Sequence, residues 1–218
     1  MKVVLVFALF FFSSCAQPSD DAFIISNPLD LDQIDRISKF RSCVGHDYSG
    51  LNVDGEKETL RSMKHYIEQL PSVHIFEVKV FAPFDGTVRE IQEASPGQTV
   101  YISVDGWWNF IFFHINLEPG IVEGTDVESG QLIGYVDKST HNFDMGLKKF
   151  GIIRQTFESP FLHMSKPVLD EYVQQGITLE NIIIPRTTRD NKPCPVQGER
   201  NGDAVFPVHP ATDFVQLK

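Results

Sequence analysis

Apolar and polar residues alternate along "HIFEVKVFAPFDGTVREIQ", residues 74–92, and Val, Ile and Phe supply most of the apolar set. A period of two predicts strands, here with a turn at Phe84 to Gly86. "GQTVYISVDGWWNFIFFHINL" (97–117) predicts two more strands across Asp105-Gly106, a hairpin dipeptide. "GIVEGTDVESGQLIGYVD" (120–137) adds short strands punctuated by Gly. Residues 73–136 therefore read as an antiparallel β unit. Helical spacing occurs twice. Leu60, Met63, Tyr66, Ile67 and Leu70 predict a helix over 55–71, closed by Pro71. "SKPVLDEYVQQGI" (165–177) predicts another, with Ser165 as cap, Pro167 in the first turn and Gly176 past the end. "PRTTRDNKPCPVQGERNGD" (185–203) is polar and rich in Pro and Gly, the composition of a long surface loop. The whole reads as mainly β, with a few helices, in one domain.

The N-terminus follows a different pattern. "MKVVLVFALFFFSSCAQPSDD" has one Lys, an apolar run from Val3 to Phe12, and then small residues. A run of about ten residues is too short to span a bilayer as a helix and reads as a signal peptide. "FSSC" resembles a bacterial lipobox, with Cys15 the acylated residue; the alternative is cleavage after Ala16. Residues 1–15 are then the signal segment, 16–35 a polar tether, and 36–218 the domain. The expected location is the cell envelope, on a membrane facing the periplasm or the cell surface.

Composition narrows the partners. The chain has 218 residues, 42% of them hydrophobic and 22% charged, enough for one real core. A formal charge of -10 argues against nucleic acid, which demands a basic face, and against membrane binding by bulk charge. Export permits a disulfide between Cys43 and Cys194, although two cysteines so far apart are equally compatible with free thiols.

Candidate chemistry gathers in "FRSCVGHDYSG" (40–50), which places Cys43, His46 and Asp47 within five positions. Together with "APFDGTV", "VYISVDG", "FFHINL" and "VESGQLIGYV", it resembles the core of lysostaphin-type zinc endopeptidases, over about residues 40–147. The resemblance implies an open antiparallel β-sandwich, the duplicated hybrid motif, and a zinc ion that activates water against peptide cross-links in peptidoglycan. Carried over residue by residue, Asp47 matches the ligand Asp of His-x-Gly-x-Asp, while Cys43 stands where His is expected. His114 matches an assisting His. "HNFDMGL" puts Asn142 and Asp144 at the two His-x-His positions, and a shift of register would bring His141 closer. One ligand is kept, two are exchanged, and one assistant is lost.

A thiolate and two carboxylates would load three negative charges onto a zinc ion and blunt its acidity. A second arrangement uses residues outside the family pattern: His46, His65 and His114 with Asp47, or else His46 and His65 as hydrogen-bonded structural groups. Trp107 and Trp108 follow the Asp-Gly turn; one exposed Trp would suit stacking on sugars. His74, His163 and His209 read as structural. Two functions lead, with a purely structural lipoprotein scaffold as a third possibility. In one, the exported, lipid-anchored protein binds peptidoglycan or an envelope protein without catalysis. In the other, it is a divergent zinc metalloendopeptidase using these ligands, with His114 and Asn142 assisting.

Overall fold

The computed structural model describes residues 22–141, 143–207 and 209–218; Cys15, the leader and Asn142 lie outside the described residues. Fourteen strands are described: β1 (Ile34–Ser38), β2 (Leu51–Asn52), β3 (His65–Gln69), β4 (Lys79–Phe81), β5 (Gly86–Glu93), β6 (Gln98–Ser103) and β7 (Trp108–Leu117), followed by β8 (Asp126–Val127), β9 (Leu132–Val136), β10 (Phe143–Phe150), β11 (Gln155–Glu158), β12 (Gly198–Arg200), β13 (Asp203–Val205) and β14 (Phe214–Gln216). The helices are α1 (Lys166–Gln174), α2 (Leu179–Ile182) and α3 (Arg186–Asn191). The fold is mainly β, as the alternation predicts.

Twelve strands form one sheet, whose main path runs β14-β1-β3-β10-β7-β6-β5-β8. Strands β11 and β2 extend it from β10, and β9 and β4 branch from the end of β7. All pairings in this sheet are antiparallel except β11 with β2. The Asp105-Gly106 hairpin forms between β6 and β7. The turn at Phe84 to Gly86 also forms, but its flanking strands part company: β4 pairs with β9, and β5 with β6 and β8.

Long β7 shows how the sequence sets its faces. Trp108, Phe110 and Phe112 point into the main core, where Phe143, Met145 and Leu147 of β10 and Phe161 and Tyr172 also lie. Asn109, Ile111 and Phe113 point to the other face, where Ile111 and Phe113 join Tyr101 in a second apolar cluster. The pairing with β6 shifts between Gln98 and Thr99, leaving His114 as the extra residue of a bulge, with φ +63°. Beyond it the phase inverts, and Ile115 returns to the main core.

Three expectations need correction. Residues 55–71 do not form a helix: they run as a loop into β3, a strand paired on both sides. All seven residues from Arg61 to Ile67 are buried, whereas an amphipathic helix would leave one stripe in water. The charged residues that mimicked that stripe, Arg61 and Lys64, are inside and paired. Within 185–203, part of the expected loop is helix α3, and β12 pairs with β13 as a small hairpin. The second half of the expected tether, from residue 22, is bound to the domain. Ile24 is fully buried, its N–H donates to the His163 carbonyl at 2.9 Å, and the Phe23 ring packs on Phe84, Trp108 and His163. Helix α1 matches its prediction within a residue or two, with Ser165 at the N-cap and Gly176 at φ +87°.

Candidate functional site

Strand β10 alternates faces, so Asp144, Gly146, Lys148 and Phe150 share the side opposite the main core. The register places Phe113 beside Asp144 and Ile111 beside Gly146, with Tyr66 on the other flank of Asp144. The loop 44–50 folds over this floor. Gly45 has φ +75°, and a Cβ there would lie 2.1 Å from the Tyr66 hydroxyl, so only glycine lets the loop approach.

At the centre lies Lys64. Its ammonium is in direct ion-pair contact with the Asp144 carboxylate, and both side chains are almost wholly buried. The ammonium also faces three rings, Phe113 at 4.4 Å, Tyr48 at 4.8 Å and Tyr66 at 4.9 Å from their centroids. Burial alone would favour the neutral amine, but Asp144 outweighs it and holds the Lys64 pKa above the ordinary lysine value. Burial pushes Tyr66 up to about 12 and raises Tyr48 well above its usual range. Both phenols therefore stay neutral around the cation.

Two imidazoles flank the pair. His46 Nε2 is 3.4 Å from the Lys64 Nζ, and its Nδ1 is 3.1 Å from the Asp47 carbonyl oxygen. Burial, then the Lys64 charge, lower its pKa, so the ring is neutral at physiological pH. The partners assign its proton to Nδ1, leaving Nε2 to accept from Lys64. His114 Nδ1 is 2.8 Å from the Pro96 carbonyl oxygen, and Nε2 is 3.8 Å from Asp144 Oδ1.

The remaining candidates are engaged elsewhere. Cys43 forms a disulfide with Cys194, with Cα atoms 5.3 Å apart, and so offers no thiolate. The Asp47 carboxylate is occupied by its own loop: Oδ1 accepts from Ser49 Oγ at 2.6 Å and the Arg61 N–H at 3.2 Å, and Oδ2 from the Leu60 N–H at 3.1 Å. His65 follows Lys64 in the chain and points to the opposite face. There its Nδ1 meets the Ser38 carbonyl at 2.7 Å and its Nε2 the Ser159 hydroxyl at 2.9 Å. Burial lowers its pKa to about 4, so it is a neutral structural histidine. His209 accepts the Gly45 N–H, and His163 faces Glu158. The structure thus gathers Asp144, His114 and His46, and adds three groups that the sequence did not single out: Lys64, Tyr48 and Tyr66. Lys64 lies 80 positions from Asp144 and outside every motif, so no local signal in the sequence marks it as the partner of that carboxylate.

No protein-family model matches the chain, and comparison with curated proteins finds no match. Solved structures do resemble it. A LytM protein of Ruminococcus gnavus shares 16% identity and a TM-score of 0.38, over 45% of this chain and 44% of that one. The SpoIIQ-SpoIIIAH pore-forming complex gives 16% identity and 0.47, over 73% and 100%. A zinc-containing peptidase of Vibrio cholerae gives 14% and 0.35, over 61% and 41%. The chain thus spans less than half the length of the first and third. By name, the first is a LytM endopeptidase, the second a pore-forming complex and the third a zinc-containing peptidase. At such identities nothing about chemistry transfers.

Proposed function

We propose that this chain is an exported, lipid-anchored protein of the cell envelope that binds through its peptidase-like sheet face and does not hydrolyse, with peptidoglycan or an envelope protein as ligand. The contact between Lys64 and Asp144 carries this reading. In the resembling family a zinc ion is the catalyst, so the donor set decides. Among the described residues no three His, Cys, Asp or Glu side chains come together as a metal site. Asp144 is neutralised by an ammonium, Asp47 is occupied by backbone N–H groups, and Cys43 is oxidised. Two unit charges at about 4 Å repel by roughly 4 kcal/mol at the effective dielectric of such sites, so a dication beside Lys64 would meet about twice that. These residues do not fit zinc. An internal cation and its aromatic box do the job of neutralising the carboxylate and bracing the loop 44–50 against the sheet.

The full chain, purified and dialysed against zinc, should hold far less than one equivalent by elemental analysis, release no fragments from sacculi, and still sediment with them or with an envelope partner. One retained equivalent, lost in Asp144→Ala, together with cleaved cross-links, would establish the hydrolase reading instead. Palmitate incorporation in a bacterial host, abolished by Cys15→Ser, tests the anchor separately.

A further inference from the structure

We infer that the end of the sheet carrying the tip of the β10–β11 hairpin and Trp107 is a membrane-docking surface, seated on the headgroup region of an anionic bilayer. The inference deepens the envelope reading and rests on its membrane location. The tip residues Ile152 and Ile153 are 92% and 89% exposed, the two most exposed large hydrophobic side chains among the described residues. They are not scattered. The Phe150 N–H donates to the Trp107 carbonyl at 2.7 Å, so the base of this hairpin is fastened to the tip of the β6–β7 hairpin. Trp107 is itself 47% exposed. Arg89 ties the same two hairpins, donating to the Gly106 carbonyl at 2.8 Å with its guanidinium over the Phe150 ring.

Charge names the occupant. The chain carries -10 overall, yet residues 145–157 contain Lys148, Lys149 and Arg154 and no acidic residue. Lys149, Arg154 and Arg89 are exposed around the isoleucines. Asp105, the acid nearest Trp107 in the chain, has its Oδ1 occupied by the Trp107 and Trp108 N–H groups at 2.8 Å. Apolar tips with exposed basic side chains on the adjoining segments and a Trp at the base of the hairpin match the depth profile of a bilayer surface: aliphatic groups reach the acyl boundary, indole sits among the headgroups, and cations meet lipid phosphates. The path of the chain points the same way. Ala22 and Phe23 line a groove of about 650 Å³ together with Trp107, Trp108 and Lys149, so the segment that leads back to Cys15 joins the domain at this end. A lipid on that segment and the hairpin tip would meet one membrane surface.

The full chain should be bound to vesicles of phosphatidylcholine and phosphatidylglycerol, some with brominated acyl chains. Trp emission should be quenched by the brominated lipid; that quenching should be mostly lost in Trp107→Phe and reduced severalfold in Ile152→Ser/Ile153→Ser. Lys149→Glu/Arg154→Glu should weaken binding by at least about thirtyfold and remove its dependence on phosphatidylglycerol. All these positions are exposed, and an unchanged circular dichroism melt checks the fold of each variant. The inference is overturned if vesicle-bound protein shows no quenching, if the isoleucine variant is quenched like the parent, if the chain does not bind vesicles, or if sedimentation shows that the isoleucines join two copies. Loss of the anchor alone reads differently: Cys15→Ser without effect on membrane association removes the anchor and leaves the quenching result to stand or fall by itself.

Discussion

On the face of β7 and β10 that meets the main core, Phe110, Phe112, Phe143, Met145 and Leu147 are all at 0% exposure. In the segments that edge the sheet, residues 41–61 and 186–213, four of the ten buried residues described are charged, Glu58, Arg61, Arg189 and Asp213, and two more are the bridged Cys43 and Cys194. Glu58 accepts from Arg41 at 2.7 and 2.8 Å and from Arg61 at 2.9 Å; Arg189 donates to Asp213 at 2.9 Å, beside the Cys43–Cys194 bridge. The first region is held by removing apolar area from water, which needs no particular partner. The second is held by directional and covalent links, each of which fails if one partner is lost. The candidate site lies on the seam, where Asp144 of the sheet meets Lys64 and the loop 44–50. Shape and contents of the site therefore rest on different things: the floor on Ile111 and Phe113, the contents on the seam.

The largest effect is expected at that seam. Lys64→Met keeps the volume and apolar stem but leaves Asp144 buried without its cation, which costs about 3–5 kcal/mol. Urea unfolding should show a large drop in midpoint. Adding Asp144→Asn should restore much of it, because the uncompensated charge is then gone. If the single variant were near neutral, the pair would not be the keystone of the site.

The disulfide tests the edge segments by themselves. The bridge closes a separation of 151 residues, and its removal by Cys43→Ser/Cys194→Ser should destabilise by about 2–4 kcal/mol. Hydrogen exchange sharpens the comparison: amides of 41–61 and 186–206 should open earlier, while β7 and β10 keep their protection until global unfolding. Uniform loss of protection would show that sheet and edge unfold as one unit.

Legibility in the sequence follows the same division. Alternation marked the strands of 79–93, where one face is apolar, while β6 and β7, buried on both faces, were marked by their β-branched and aromatic runs on either side of the Asp105-Gly106 turn. The stretch "LRSMKHYIEQL" misled because its inward charges, Arg61 and Lys64, look in sequence like the wet side of a helix; pairing across 80 positions, from Lys64 to Asp144, leaves no local trace. Helix α3 was hidden for a related reason, since Arg189 turns inward to Cys43 and Asp213 and no apolar stripe marks the helix. The resemblance motifs located the candidate site, and Asp144 and His114 do lie together. What occupies it was decided by Lys64, a residue outside every motif.

The smallest effect separates His65 from the Lys64–Asp144 site on the opposite face. Its ring is fully buried between Phe40 and Phe161, with partners at Ser38 and Ser159 that suit the neutral form. In the unfolded chain it protonates near 6.5, whereas in the folded protein it resists to about 4. Between those values the unfolded state binds more protons, so stability falls as pH falls and changes no further below the folded value. From neutrality to about pH 5 the loss attributable to His65 is about 2 kcal/mol. His46, also held low, contributes in the same direction. His65→Gln removes the titrating group and leaves His46 in place, so the difference between the two pH–stability curves isolates position 65. The parent should lose stability across that window about 2 kcal/mol faster than the variant. Parallel curves would mean that His65 is protonated in the folded protein, and that the neutral, structural role given to it here is mistaken.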